Sequence, residues 1–306
     1  MALFPTACPG TSPRMDADIP FADTPFDRRL RRLRRDRAEA RFSEANYLHR
    51  LMADELLDRL SLVKRNFADA LVLGCADGDL SQRLMSLGLD VTSVDAGFRF
   101  ASACSGGGVQ CDEDRPAFAD ASFDLVVSAG VLDNVNDLPG ALVLARKMLR
   151  PDGLLLAAFV GAGSLPRLRA AMMAADAATG GAAPHIHPQI DVRAAGDLLT
   201  RAGFALPVAD STSLTVRFPD LATLVHDLRA AAATNILAAR ARRPILRVAL
   251  AAAEAEFARH AEADGKIPEQ VEIIHLTAWA PSPDQPKPAR RGSGTTSLAA
   301  VLRKPS

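Results

Sequence analysis

Apolar residues recur along this chain in two rhythms. Short solid runs read as buried strands, and apolar positions three and four apart read as helices packed on them. Leu71-Val-Leu73 is the first such strand; a helical pattern covers 80–87, and a second apolar run closes at Asp95. Residues 109–111 form a short third strand, 122–128 a fourth and 154–160 a fifth. A helix capped by Asn136 or Asp137 runs to Leu149 and stops at Pro151-Asp-Gly153. Further on, helices are predicted over 165–178, 194–202, 220–233 and 243–263, strands over 214–218 and 271–280, and a loop over 180–188. Strands that alternate with helices predict a parallel, doubly wound sheet.

Two segments precede the first strand. Residues 26–38 set Leu30 and Leu33 at helical spacing among arginines. They read as a solvated helix packed through its leucines or as a docking strip for an acidic partner. Residues 40–66 continue as amphipathic helix, with Leu48, Leu51, Met52, Leu56, Leu57 and Leu60 inward. The layout expected is a disordered N-terminus over 1–25 (Met15 is a candidate start), a helical segment over 26–66 and a domain over 67–280. A helical insertion falls at about 219–265, and 281–306 form a flexible tail.

Composition narrows the function classes. Lys+Arg and Asp+Glu balance at 36 each in 306 residues, which gives no argument for nucleic acid. One Trp and one Tyr argue against stacking platforms for single-stranded nucleic acid. Cys8, Cys75, Cys104 and Cys111 show no CxxC spacing and read as reduced thiols. No apolar run reaches the ~20 residues of a membrane span. A cytoplasmic placement is expected.

The chemistry concentrates between residues 68 and 114. Gly74-Cys-Ala-Asp-Gly78 links strand to helix, so the backbone can approach a ligand closely and the helix N-terminus offers free N–H groups. Asp95, ending the second strand, is placed to accept hydrogen bonds from a ribose diol, as in NAD or S-adenosylmethionine. The turn lacks the third glycine of Gly-x-Gly-x-x-Gly, which disfavours a pyrophosphate. Asp112-Glu-Asp114 reads as a partner for an adenine amino group or as a solvated loop. His185, His187 and Asp191 allow a metal reading, against that of a structural loop. Cys75 sits at a helix N-terminus, a position that lowers a thiol pKa.

On these residues the chain resembles the class I S-adenosylmethionine-dependent methyltransferases. More narrowly, it is similar to the family of the mitochondrial complex I assembly factor that hydroxylates an arginine, with its alphaproteobacterial relatives. The matching stretches are Phe26-Asp-Arg-Arg-Leu30 with Arg37-Ala38, residues 71–78 and 122–128, Val135-Asn-Asp-Leu-Pro-Gly-Ala-Leu142 and Leu149-Arg-Pro-Asp-Gly153. Downstream are Pro184-His-Ile186, Arg201-Ala-Gly-Phe204, Pro207-Val-Ala-Asp210, Asp227-Leu-Arg229, Thr234-Asn235 and Arg291-Gly-Ser293, which are the more specific set.

The resemblance implies an α/β Rossmann-like fold with a mostly parallel seven-stranded sheet, N-terminal helices and a helical insertion before the last strand. It implies a role in assembling respiratory NADH:ubiquinone oxidoreductase, with a complex I subunit as protein substrate and peripheral association at the inner membrane face. It places Gly74, Ala76 and Gly78 against the cofactor by backbone, Asp95 on the ribose and Asp112 or Glu113 near the adenine. The chain departs from the family where Asp-Leu-Gly becomes Val72-Leu-Gly74, where Ala76 replaces a glycine, and where Leu-His-Trp becomes Leu132-Asp-Asn134. Losing a carboxylate–ammonium contact costs about 1–3 kcal/mol, so weakened cofactor binding is expected. Two alternatives stand beside the first reading. One is a small-molecule or acyl-carrier-protein methyltransferase of the biotin-pathway type; the other is a non-enzymatic assembly chaperone with a degenerate cofactor site.

Overall fold

A computed structural model describes residues 24–285. Most of the expected N-terminal disorder, Met15, most of the tail from 281 and Arg291-Gly-Ser293 lie outside the described residues. The chain begins with α1 (Arg28–Ala38), a 3-10 turn (Glu39–Glu44) and α2 (Tyr47–Ser61). The first half of the sheet then follows as β1 (Asp69–Leu73), α3 (Asp79–Ser86), β2 (Asp90–Asp95), α4 (Phe98–Ala103), β3 (Val109–Gln110) and β4 (Phe123–Ala129). After a short 3-10 turn (Leu132–Asn134) come α5 (Leu138–Met148), β5 (Leu149–Val160), α6 (Pro166–Thr179), α7 (Val192–Arg201) and β6 (Ala205–Phe218). The last elements are α8 (Leu221–Ala230), α9 (Arg247–Ala258) and β7 (Ile267–Trp279).

The seven strands lie in the order β3-β2-β1-β4-β5-β7-β6. Strands β1 to β5 pair in parallel, and β7 runs antiparallel between β5 and β6. Side chains alternate across a strand. Leu71 and Leu73 therefore enter one core, with Leu142 of α5 and Leu199 of α7. Ala70 and Val72 enter the opposite core, with Leu56 of α2 and Leu80 of α3. Strand β4 is buried along its whole length, which is why its sequence is a near-continuous apolar run. Helices α6, α8 and α9 form a third cluster, where Ala171, Ala175, Ala249 and Ala253 let the helices approach closely.

The mostly parallel seven-stranded α/β fold is as expected. Several local features differ. The helix drawn over 40–66 is interrupted by the turn at Glu39–Glu44, because Phe42 folds inward onto Phe100. Strand β6 begins at Ala205, nine residues earlier than expected from 214–218. It is an edge strand with few buried side chains, so its sequence carries little apolar pattern, and Pro207 falls where its register shifts. Helix α4 was not legible either, being a six-residue element between Gly97 and Gly106-Gly-Gly108.

Candidate functional site

The strand order reverses between β1 and β4, and ligands of such sheets bind beyond the carboxyl ends of the strands at that point. Two turns meet there. In the first, Gly74 has φ +81°, and a Cβ on it would come 2.4 Å from Val131 Cγ1. Only glycine lets this turn pass under the second one. Gly78 (φ +79°) opens α3, and Ala76 holds a left-handed φ of +46°. The Ala76 N–H, which the resemblance assigns to a cofactor, donates to Asp95 Oδ2 at 3.1 Å.

The most consequential feature lies on α1. Arg28, Arg31, Arg32 and Arg35 follow the i, i+3, i+4, i+7 spacing of one helix face, and on that face Arg31 and Arg35 are buried. Arg35 Nε and Nη2 donate to the two Asp95 oxygens at 2.6 Å each. Arg31 reaches Glu113 at 2.6 and 2.9 Å, and Arg32 reaches Asp112 at 2.6 Å. Arg28 holds Asp114 through both guanidinium nitrogens, one bond measuring 2.7 Å. The expected leucine packing holds for Leu30, which rests on Phe26, Ile236 and Leu237, and fails for Leu33, which is 43% exposed while Arg31 is 5% exposed. The row is not a surface strip for an acidic partner, because its acidic partners are in the same chain.

This arrangement is built in on several sides. Asp27 caps α1, and the backbone of Phe26 is held by both atoms of the Asn136 amide at 2.8 and 3.1 Å. A Cβ on Gly97 would lie 2.8 Å from Arg35 Cβ, so the glycine makes room for the helix. Asp95 is fully buried and accepts from Arg35, from Ala76 N–H and from Gly97 N–H at 2.7 Å. Burial alone would raise its carboxyl; the Arg35 guanidinium and the Gly97 N–H override that and hold it below the usual carboxylate range. Asp112 and Glu113 are also buried in ion pairs. The carboxylates that the resemblance assigns to the adenosine half of S-adenosylmethionine are thus paired with α1 arginines, and adenosine bonds to them only once those pairs open.

Beside the turns two cavities adjoin. The inner one, of about 120 Å³, is lined by Arg35, Phe42, His49, Met52, Ala76 and Gly130 among others. The outer one, of about 250 Å³, is walled by Leu168, Met172, Ile186, His187 and Val225. Asp133 and Asn134 line both. Asp133 Oδ1 and both ring nitrogens of His49 are buried without a hydrogen-bond partner. Burial pushes the Asp133 carboxyl up to about 7, against its own backbone N–H, Arg31 and Arg35. Burial also lowers the His49 pKa, against the pull of Asp77. His49 was not picked out from sequence, and the arginines of 26–38 were read as a solvated or docking face rather than as partners of the site's acids. Arginines recurring at 28, 31, 32 and 35 ahead of a buried-strand acid were the available signal.

Other sequence readings come apart in three dimensions. His185 pairs with Asp176 at 3.0 Å, His187 accepts from Ile236 N–H, and Asp191 caps α7. No group of three or more metal-ligating side chains occurs among the described residues. The Cys75 thiol is raised, not lowered, by its contact with Cys104 and by burial. Val72 is wholly enclosed in the core. No helix among the described residues is long and apolar enough to cross a membrane.

The sheet order and the glycine turn define a protein of the class I methyltransferase fold. Residues 71–157 match the family model of a methyltransferase domain. The YcgJ protein of Bacillus subtilis superposes with a TM-score of 0.53 at 12% identity, covering 76% of this chain and all of that one. A protein of Bacillus halodurans C-125 does so with a TM-score of 0.53 at 14% identity, covering 75% and 99%. At such identity the likeness shows the fold alone. Sequence relatives narrow it. The chain is 32% identical over 285 residues to the mitochondrial arginine-hydroxylase NDUFAF5 of Danio rerio, covering 90% of this chain and 88% of that one. The human protein is 32% identical over 300 residues, covering 94% and 86%. Malonyl-acyl-carrier-protein O-methyltransferase of Laribacter hongkongensis is 30% identical over 265 residues, covering 81% and 87%. The chain belongs to the arginine-hydroxylase NDUFAF5 family.

Proposed function

We propose that this protein acts in the assembly of respiratory NADH:ubiquinone oxidoreductase by hydroxylating an arginine of one of its subunits. What carries the reading is family membership over nearly the whole chain. The protein works in the cytoplasm, peripherally at the inner membrane face, with a complex I subunit as its partner. S-adenosylmethionine is its cofactor, held by the backbone of Gly74, Ala76 and Gly78, by Asp95 at the ribose and by Asp112 or Glu113 at the adenine. Its binding is micromolar or weaker, because Arg35 must leave Asp95 before a ribose can bond there.

A strain lacking the gene tests this. The expected result is reduced assembly of NADH:quinone oxidoreductase with growth independent of biotin. Normal complex levels with a biotin requirement would instead place the protein with the acyl-carrier-protein methyltransferases that it also resembles. Normal levels and no biotin requirement would remove both readings.

A further inference from the structure

Asp133 stands where the inner and outer cavities meet, and its Oδ1 is buried without a hydrogen-bond partner. An unpartnered buried acid costs stability, so its presence calls for a ligand that satisfies it. The ligand must carry a positive charge and several N–H donors. It must also tolerate an apolar approach, since the outer cavity is walled by Leu165, Leu168, Met172, Val225 and Leu228. A guanidinium on an aliphatic stem meets all three conditions; an ammonium offers a compact, strongly hydrated charge that gives up more on entry. His49, its ring nitrogens also unanswered and its imidazole favoured neutral by burial, offers an acceptor for one further N–H. Arg31 and Arg35 of α1 act on Asp133 through their charge, but neither donates it a hydrogen bond, each being bonded to another acid.

We propose that Asp133 anchors the guanidinium of a substrate arginine that enters through the outer cavity with its stem between Leu168, Met172 and Leu228. This rests on the arginine-modifying reading above and adds to it the residue that selects the side chain. It places the guanidinium at the boundary with the inner cavity, beside Gly130 and the Gly74–Gly78 turn.

The test is a calorimetric or NMR titration of the full chain with N-acetyl-arginine methylamide and with its neutral isostere, N-acetyl-citrulline methylamide. The expected result is at least ten-fold tighter binding of the arginine compound, and loss of that preference in Asp133→Asn. Asp133→Glu, which keeps the charge, retains part of it. Equal binding of the two compounds by the unaltered protein would overturn the proposal, and so would an undiminished preference in Asp133→Asn. The outcome is separable from that of the parent reading. Asp133-dependent arginine selectivity in a protein whose deletion leaves subunit arginines unchanged keeps the site and removes the reaction. Lost hydroxylation on deletion, with no arginine preference in the titration, does the reverse.

Discussion

Replacing Arg35 by Ala probes the arginine row at its deepest point. The substitution leaves Asp95 fully buried and deprived of two hydrogen bonds of 2.6 Å. Breaking a buried pair from one side costs about 3–5 kcal/mol. Asp95 keeps the N–H groups of Ala76 and Gly97, which points to the lower end, ~3 kcal/mol. For a chain this size each kcal/mol shifts Tm by roughly 2–4 °C, so the melting point should fall by about 6–12 °C. The Asp95 carboxyl is held below its ordinary value, so the pair's contribution is present above the unfolded value near pH 4 and fades as pH falls further. The two proteins' stabilities should therefore converge in acid. A merely structural pair predicts nothing more. The masking of the ribose acceptor predicts that Arg35→Ala, though less stable, binds S-adenosylhomocysteine more tightly than the unaltered protein in calorimetry. A loss under ~1 kcal/mol, the range of an exposed ion pair, would refute the energetic reasoning. Weaker binding of S-adenosylhomocysteine would refute the masking.

Three further outcomes are expected. Ala76→Gly relieves a left-handed backbone at φ +46° and should stabilise the protein by about 1 kcal/mol in urea titration; a loss would show that the Ala76 methyl packs usefully. Asp133→Asn should raise stability at pH 8 and change it little at pH 4. The folded carboxyl titrates near 7, so its penalty grows as pH rises from about 4 to about 7, by at most ~4 kcal/mol. The groups acting on it are Arg31 and Arg35 of α1 and Glu113 after β3, with His49 of α2 lining the same cavity; an unchanged pH profile would mean that they already neutralise it. Arg31→Met should cost about 3–5 kcal/mol, and adding Glu113→Leu should recover most of it, because an unpaired buried charge is worse than none. A double-mutant cycle in thermal unfolding measures this.

How much of this was readable in the sequence depended on whether a residue's environment is local. The strand, glycine turn and acid from Leu71 to Asp95 announce themselves, because turn geometry and burial are set within a few residues. Asp95, Asp112 and Glu113 stand out for the same reason, at or just beyond strand ends. Their partners do not, since Arg35 and Asp95 are separated by 60 residues and Arg31 and Glu113 by 82. A helix with leucines at 30 and 33 among arginines has an obvious inner face by hydrophobicity. Burial of the arginine face is favoured only once a matching set of carboxylates lies opposite, and that is tertiary information. The orphaned state of His49 and Asp133 is likewise invisible in sequence, because it depends on what fails to reach them. Edge strand β6 was shortened because residues 205–213 are mostly solvent-facing and carry no apolar rhythm.

The central claim, that this chain modifies an arginine of a respiratory complex subunit, is tested most directly by mass spectrometry of the quinone-site subunit from a deletion strain and its complemented parent. The account predicts an arginine heavier by one oxygen in the parent and the unmodified residue in the deletion. The same hydroxylated arginine in both strains would contradict it.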